Sequence, residues 1–185
     1  MEGREQERSE GAVAVALCAV RGVLAEQADV CKHLRQKLEE ELNLSVALWE
    51  SKGASRHMLG QARDALHNAL IGGYATEVEQ AISAAQGLGP PLGSAEVQSI
   101  LGRLQHEEDL EGLWQCLASA LEEADRLALA FWCEEAKQHG LAVPAEVGEA
   151  MEALRHEEAA RLARWEHQSA FEAAAAEAHA RRDRQ

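Results

Sequence analysis

The chain of 185 residues is acidic, with 18 basic and 32 acidic residues and a formal net charge of −14. This charge disfavours nucleic acid and anionic membranes as main partners. Alanine occurs 36 times, proline three times, and aromatic residues make up only 4% of the chain. The composition therefore predicts an all-α protein with long helices and no β-sheet of consequence.

The N-terminal third predicts one long amphipathic helix. Residues 1–10 are charged and mixed in sign, and we expect them to be disordered. From residue 11 to residue 53, apolar side chains recur in steps of three and four, with one step of seven, which is the pattern of a helix with one apolar face. Arg21 interrupts the apolar run over 12–20. We therefore expect no membrane insertion, no secretory signal and a cytoplasmic location.

Residues 54–143 predict a region of short helical hairpins. Ser55 and Ser94 are suitable N-caps, and Thr76 with Glu79 has the spacing of a capping box for the third helix. The segment 89–93, with two adjacent prolines, is the clearest loop.

Further along this region, a break is expected between His106 and Asp109, where charged residues interrupt the apolar pattern. Asp125 is expected to cap the next helix, and Gly140 to end it, as Gly53 ends the first.

Residues 144–185 predict a long C-terminal helix with a basic end. The apolar residues of this helix are Val147, Met151, Leu154, Leu162, Trp165 and Phe171. Glu157 lies four residues before Arg161, and Glu177 lies four residues before Arg181, a spacing that supports helix. Arg181, Arg182 and Arg184 place positive charge near the expected helix C-terminus, where it is favourable.

The sequence repeats itself at a spacing of 50 residues. The segment 95–97, Ala-Glu-Val, recurs at 145–147, and the segment 106–108, His-Glu-Glu, recurs at 156–158. Upstream, the segment 66–70 corresponds to 117–121 with small insertions between them. The repeated unit is a pair of helices joined by a loop, and such a unit buries its apolar face only by stacking on neighbours.

These elements resemble the Ala/Leu-rich helical-hairpin repeats of protist and algal cytoskeletal and ciliary proteins. The resemblance covers about residues 62–158 and consists of Leu-x-x-Ala-Leu, Gly-Leu and Pro-x-Glu-Val elements. It implies a structural role, and a cytoskeletal or ciliary setting.

Residues that could carry chemistry lack the spacing that a catalytic or metal site needs. The four cysteines are far apart, which favours small buried side chains in a reducing compartment; they are Cys18, Cys31, Cys116 and Cys133. No His-Glu-x-x-His, Gly-x-Ser-x-Gly or phosphate-binding loop is present. We therefore expect no enzyme, no cofactor and no metal site.

The first functional hypothesis is a non-enzymatic helical scaffold or adaptor subunit of a larger assembly, which binds partner helices through apolar faces. The expected partner-binding residues lie on the two long helices and are Leu38, Leu42, Trp49, Leu162, Trp165 and Phe171. The alternative is a helical bundle that binds a metal or small ligand through core histidines, drawn from His33, His57, His67 and His139.

Overall fold

The computed structural model describes residues 2–72, 74–86, 92 and 94–182, and its secondary structure there is six α-helices and no strand. The helices are α1 (Glu2–Ser51), α2 (Arg56–Gly72), α3 (Ala75–Gln86), α4 (Ala95–Glu122), α5 (Arg126–Gln138) and α6 (Ala145–Arg182). The predicted all-α class is confirmed, and long helices are present at both ends of the described chain.

The chain divides into two compact units, and α1 and α4 contribute residues to both. The first unit comprises Met1–Arg21 and Cys116–Gln185, and the second comprises Gly22–Gln115. This division differs from the predicted segments 11–53, 54–143 and 144–185, which follow the ends of helices. The units depend instead on which helix faces pack together, so one long helix can contribute residues to both units, as α1 and α4 do.

The core of the second unit is a continuous apolar cluster from α1, α2, α3 and the first half of α4. Its large buried helix residues share one face of each helix, and they include Leu38, Leu42, Val46, Leu59, Val78, Ile82, Val97 and Leu104. Leu92, which lies between α3 and α4, is also fully buried in this cluster. The apolar stripe predicted along residues 31–46 of α1 is the face that this cluster buries.

The first unit packs the start of α1, the end of α4, α5 and the start of α6. Its buried apolar residues include Ala16, Val20, Leu117, Leu121, Leu129, Ala136, Val147, Ala150 and Leu154. Arg126 at the start of α5 pairs with Glu158, at 2.7 Å, while Cys133 contacts Met151, with 3.9 Å between the sulfurs. Since residue numbers rise along α5 as they fall along α6, the two helices run antiparallel.

Local capping signals fix several helix ends as the sequence predicts. The Asp125 carboxylate accepts hydrogen bonds from the amides of Leu127 and Ala128, at 2.9 and 3.0 Å. Gly53 and Gly140 have positive φ angles of 84° and 71°, a conformation that glycine adopts without steric cost. These glycines therefore stop α1 and α5.

Replacing Asp125 with alanine should lower the free energy of unfolding by about 1 kcal/mol, because two amides of the first turn of α5 lose their acceptor. Urea denaturation followed by circular dichroism measures this change. Asp64→Ala, at an exposed position inside α2, is the matched control and should change stability by less than about 0.5 kcal/mol. Equal effects of the two variants would contradict the capping role.

Residues 1–10 were predicted to be disordered, but α1 begins at Glu2 in the structure. Ser9 explains part of the difference, because its side chain is almost fully buried and its hydroxyl donates to Glu157 of α6, at 2.5 Å. A polar residue near the chain start is thus held by a partner 148 residues away.

Two predictions for the hairpin region are wrong, and both errors involve Glu108. The capping box at Thr76 does not form, because α3 begins at Ala75, whose amide donates to the Glu108 carboxylate at 2.8 Å. The break expected over 106–109 is absent, and α4 is continuous. Its charged residues there have partners on α1, since Gln27 donates to Glu107 and Arg35 pairs with Glu108.

One helix of the described chain is long and apolar enough to cross a membrane when length and composition alone are considered. A window of 18 residues within 6–51 has a mean hydropathy of 1.4, and 11% of it is buried. The helix therefore meets this criterion even though it contains Arg21. The Arg21 side chain pairs with Glu122, at 2.7 Å. Core helices of soluble proteins and signal sequences also meet the criterion, so the expected absence of membrane insertion stays a prediction.

Candidate functional site

The C-terminal part of α6 extends beyond the buried core of its unit and carries exposed apolar side chains. Val147, Ala150 and Leu154 are buried, but every residue over 161–174 is exposed. Leu162, Trp165 and Phe171 are 57%, 66% and 70% exposed. We refer to residues 159–177 as the α6 extension. Large apolar side chains this exposed on one helix are typical of a surface that binds another macromolecule.

The internal repeat gives a measure of how unusual the α6 extension is. Residues 50 positions apart in α4 and α6 have the same burial at the start of each helix, as for Val97 and Val147, both at 0% exposure. At the other end they differ, because Leu121 is 0% exposed while its counterpart Phe171 is 70% exposed. The end of α4 is thus covered by its unit, whereas the same stretch of α6 is uncovered.

The three exposed apolar residues do not share one line along the helix. Successive residues are rotated by about 100° in an α-helix, so Trp165 lies about 20° from the line of the buried Leu154. Phe171 lies about 120° from Trp165, and Gln168 is midway between them. Trp165, Gln168 and Phe171 therefore share a broad face centred on Gln168.

Charge is distributed asymmetrically along the α6 extension. Its N-terminal half carries Arg161, Arg164 and Glu166, while Glu172 and Glu177 lie in its C-terminal half. Glu166 and Glu177 lie on the side of the helix opposite Gln168, so the face centred on Gln168 carries Arg161 and Arg164 before it and Glu172 after it. Gln168 donates to Glu172 at 3.0 Å, and the Arg164 Nε–H donates to the Ala160 carbonyl at 3.1 Å. The face centred on Gln168 thus has a basic start, an acidic end and aromatic residues between them.

Two of the other three predicted partner-binding residues are not available to a partner. Leu38 and Leu42 were expected to bind another chain, but they are 0% and 2% exposed and belong to the core of the second unit. Trp49 is half-buried and packs against the same core. The prediction is wrong for Leu38 and Leu42 because α2, α3 and α4 already cover that face of α1. For Trp49 it stays a prediction.

The sequence-based prediction missed other exposed apolar residues. Leu44 and Leu48 lie one turn apart on α1 and are both 60% exposed. Leu127 and Phe131 have the same spacing on α5 and are also exposed, and Phe131 makes an edge-to-face contact with Trp132. The signal that could have identified Leu44 and Leu48 is their position outside the stripe that forms the core.

A polar cavity of about 380 Å³ lies in the second unit, beside Cys31, Arg35, Tyr74, Glu108 and Glu111. Arg35 pairs with Glu108 at 2.7 Å, and the Arg35 Nε is buried with no hydrogen-bond partner. Burial, together with the negative charge of Glu111, raises the pKa of the Cys31 thiol to about 11. This thiol is therefore protonated at neutral pH and is a poor nucleophile.

The histidines of the alternative hypothesis do not lie in the core. His33, His57, His67 and His139 are all exposed, and the His33 Nδ1 lies 2.9 Å from the Asp29 carbonyl oxygen. Within the ranges that the structure describes, no three or more His, Cys, Asp or Glu side chains are grouped so that they could hold a metal ion. The premise of a core histidine site is therefore wrong.

Comparison with known proteins gives no indication of function, so the α6 extension is the main feature that bears on it. No protein-family model, curated protein or solved structure matches the chain. The resemblance to helical-hairpin repeats over 62–158 stays a prediction. What this chain offers most clearly is an exposed, aromatic helical segment whose counterpart in α4 is buried.

Proposed function

We propose that this protein is a non-enzymatic α-helical scaffold or adaptor subunit of a larger assembly, and that it binds partner proteins through the α6 extension. The observation that carries the proposal is the exposure of Leu162, Trp165 and Phe171 on a helix whose first three turns are packed normally. The packed start of α6 anchors the extension in the first unit, and the side chains of the extension remain accessible.

Burial of the exposed aromatic and aliphatic surface would supply the binding free energy. Removing apolar area from water contributes about 25 cal/mol per Å², and Trp is among the residues that most often dominate protein interfaces. A segment that is already helical loses less conformational freedom when it binds another helix than a segment that must fold on binding. A helix-to-helix contact is therefore the binding mode that the extension favours.

The chemistry of the described residues supports a binding role over a catalytic one. The Cys31 thiol lies in a polar cavity but is held protonated, and burial also raises the pKa of Cys133. The histidines are dispersed over exposed helix faces. A cytoplasmic location, with a cytoskeletal or ciliary setting, is the part of the proposal that the repeat resemblance favours.

The paired substitution Leu162→Ala and Trp165→Ala tests this function. We expect it to weaken association of the full chain with its native assembly by about 30-fold or more, because truncating a central aromatic residue typically costs about 2 kcal/mol or more. Co-sedimentation of the tagged chain with the assembly from its source cells measures the effect. The fold should be unchanged, since both side chains are exposed.

Tyr74→Ala is the matched control, because Tyr74 is an exposed aromatic residue outside the extension, at 67% exposure. It should leave association unchanged. Equal co-sedimentation of the paired variant and the unaltered chain would rule out the extension as the binding surface.

A further inference from the structure

We infer that the α6 extension binds the α6 extension of a second copy of this chain, in an antiparallel pair that crosses at Gln168. This inference rests on the proposed function, and it names the partner of the same surface. Three features carry it: the symmetry of the sequence about Gln168, the position of four side chains on one helix face, and the chemistry of the edges that this pairing brings together.

The first feature is the symmetry of the sequence about Gln168. Trp165 lies three residues before it and Phe171 three residues after it. Arg164 lies four residues before it and Glu172 four residues after it. When two antiparallel copies cross at Gln168, Arg164 of one copy therefore lies level with Glu172 of the other copy. Trp165 of one copy likewise lies level with Phe171 of the other, and the two-fold symmetry repeats each of these pairs.

The second feature is that these four side chains lie on one face. At about 100° of rotation per residue, Trp165 and Glu172 lie about 60° and 40° to one side of Gln168. Phe171 and Arg164 lie about 60° and 40° to the other side. The face is about 120° wide, which is the width that a helix buries against a neighbouring helix.

The third feature is the chemistry of the edges that come together. A two-fold axis perpendicular to the plane of the helices brings each edge of the face against the same edge of the second copy. Trp165 then lies beside Glu172 of the second copy, so its indole N–H can donate to the carboxylate. Arg164 lies beside Phe171 of the second copy, the geometry of a cation–π contact.

Charge selects the antiparallel arrangement over the parallel one. A parallel pair would place Arg161 and Arg164 beside their own copies, and Glu172 beside its own copy, which is unfavourable. The antiparallel pair places the basic start of one extension against the acidic end of the other. Self-association of this kind forms a closed two-fold dimer, the commonest symmetry of soluble oligomers.

Charge reversal in the full chain tests the inference by sedimentation equilibrium at low ionic strength. For the unaltered chain, we expect the mass to rise with concentration from that of one copy, 20.1 kDa, toward that of two. Arg164→Glu and Glu172→Arg should each raise the dimer dissociation constant about tenfold or more. Their combination should restore it to within about threefold. Arg56→Glu, at an exposed arginine outside the extension, is the matched control and should change nothing.

A cysteine cross-link provides the second readout. In a Cys18→Ser background, which removes an exposed native thiol, Gln168→Cys should form a disulfide between two copies under mild oxidation. Ala163→Cys, on the opposite side of the helix, should not. A cross-link for Gln168→Cys alone supports the crossing point, and equal cross-linking of the two variants overturns it.

The outcomes separate this inference from the proposed function. A chain that stays monomeric at all concentrations, or a double reversal that fails to restore the dimer, overturns the self-pairing. If the Leu162 and Trp165 substitutions nevertheless release the chain from its native assembly, the scaffold function stands and the partner is a different protein.

Discussion

Glu108→Ala should lower the free energy of unfolding by about 2–4 kcal/mol. The Glu108 side chain is 9% exposed, and its carboxylate accepts from both the Arg35 guanidinium and the Ala75 amide. Breaking a buried ion pair by removing one partner costs about 3–5 kcal/mol. We discount this value because the Arg35 side chain is 37% exposed, and we add about 1 kcal/mol for the lost cap of α3.

The internal repeat supplies a matched control for this prediction. Glu158 lies 50 residues after Glu108 and also pairs with an arginine, Arg126, but its side chain is 43% exposed. Glu158→Ala should cost less than about 1 kcal/mol, because exposed ion pairs contribute little. Chemical denaturation of the two variants measures the difference. Equal losses would show that Glu108 does not join α1, α3 and α4 as described.

Leu38→Ala should lower the free energy of unfolding by about 2–5 kcal/mol, the usual cost of truncating a fully buried leucine. Leu38 is 0% exposed and lies within the apolar cluster of the second unit. The cost combines lost burial with the cavity that remains. Thermal or urea unfolding of the full chain gives the value.

Trp165→Ala is the appropriate comparison, because Trp165 was expected from the sequence to play the same partner-binding role as Leu38. Its side chain is exposed, so the substitution should change stability by less than about 0.5 kcal/mol. A stability loss for Trp165→Ala that matched the loss for Leu38→Ala would mean that the α6 extension is part of a folded core.

The helical class and several helix ends were predictable from the sequence because their causes are local. Asp125 caps α5 through amides two and three residues later, and Gly53 and Gly140 lie in the left-handed region at helix ends. Such signals need only a few neighbouring residues. The repeat was also visible, and α4 and α6 do begin 50 residues apart.

Contacts between residues far apart in sequence were not predictable in the same way. The cap of α3 comes from Glu108, 33 residues beyond Ala75, so the local signal at Thr76 was misleading. The charged stretch 106–109 indicated a break because its partners on α1, Gln27 and Arg35, cannot be inferred from spacing.

The candidate site was predicted in part for the same reason. Apolar periodicity identified Leu42 and Leu162 equally well as apolar helix residues, but it does not show which helix face its own chain covers. Leu42 is enclosed by α2, α3 and α4, whereas Leu162 lies where α6 extends beyond the buried core of its unit. Only the packing separates a core residue from a surface that another chain can cover.

Site-specific photo-cross-linking is the most direct test of the claim that the α6 extension is the binding surface. The extension contains no lysine, so amine-reactive reagents do not report on it. A photoreactive phenylalanine analogue at position 171 should form adducts with another protein chain in the native assembly, while the same analogue at the exposed position 67 on α2 should not. Adducts at position 67 with none at position 171 would contradict the account.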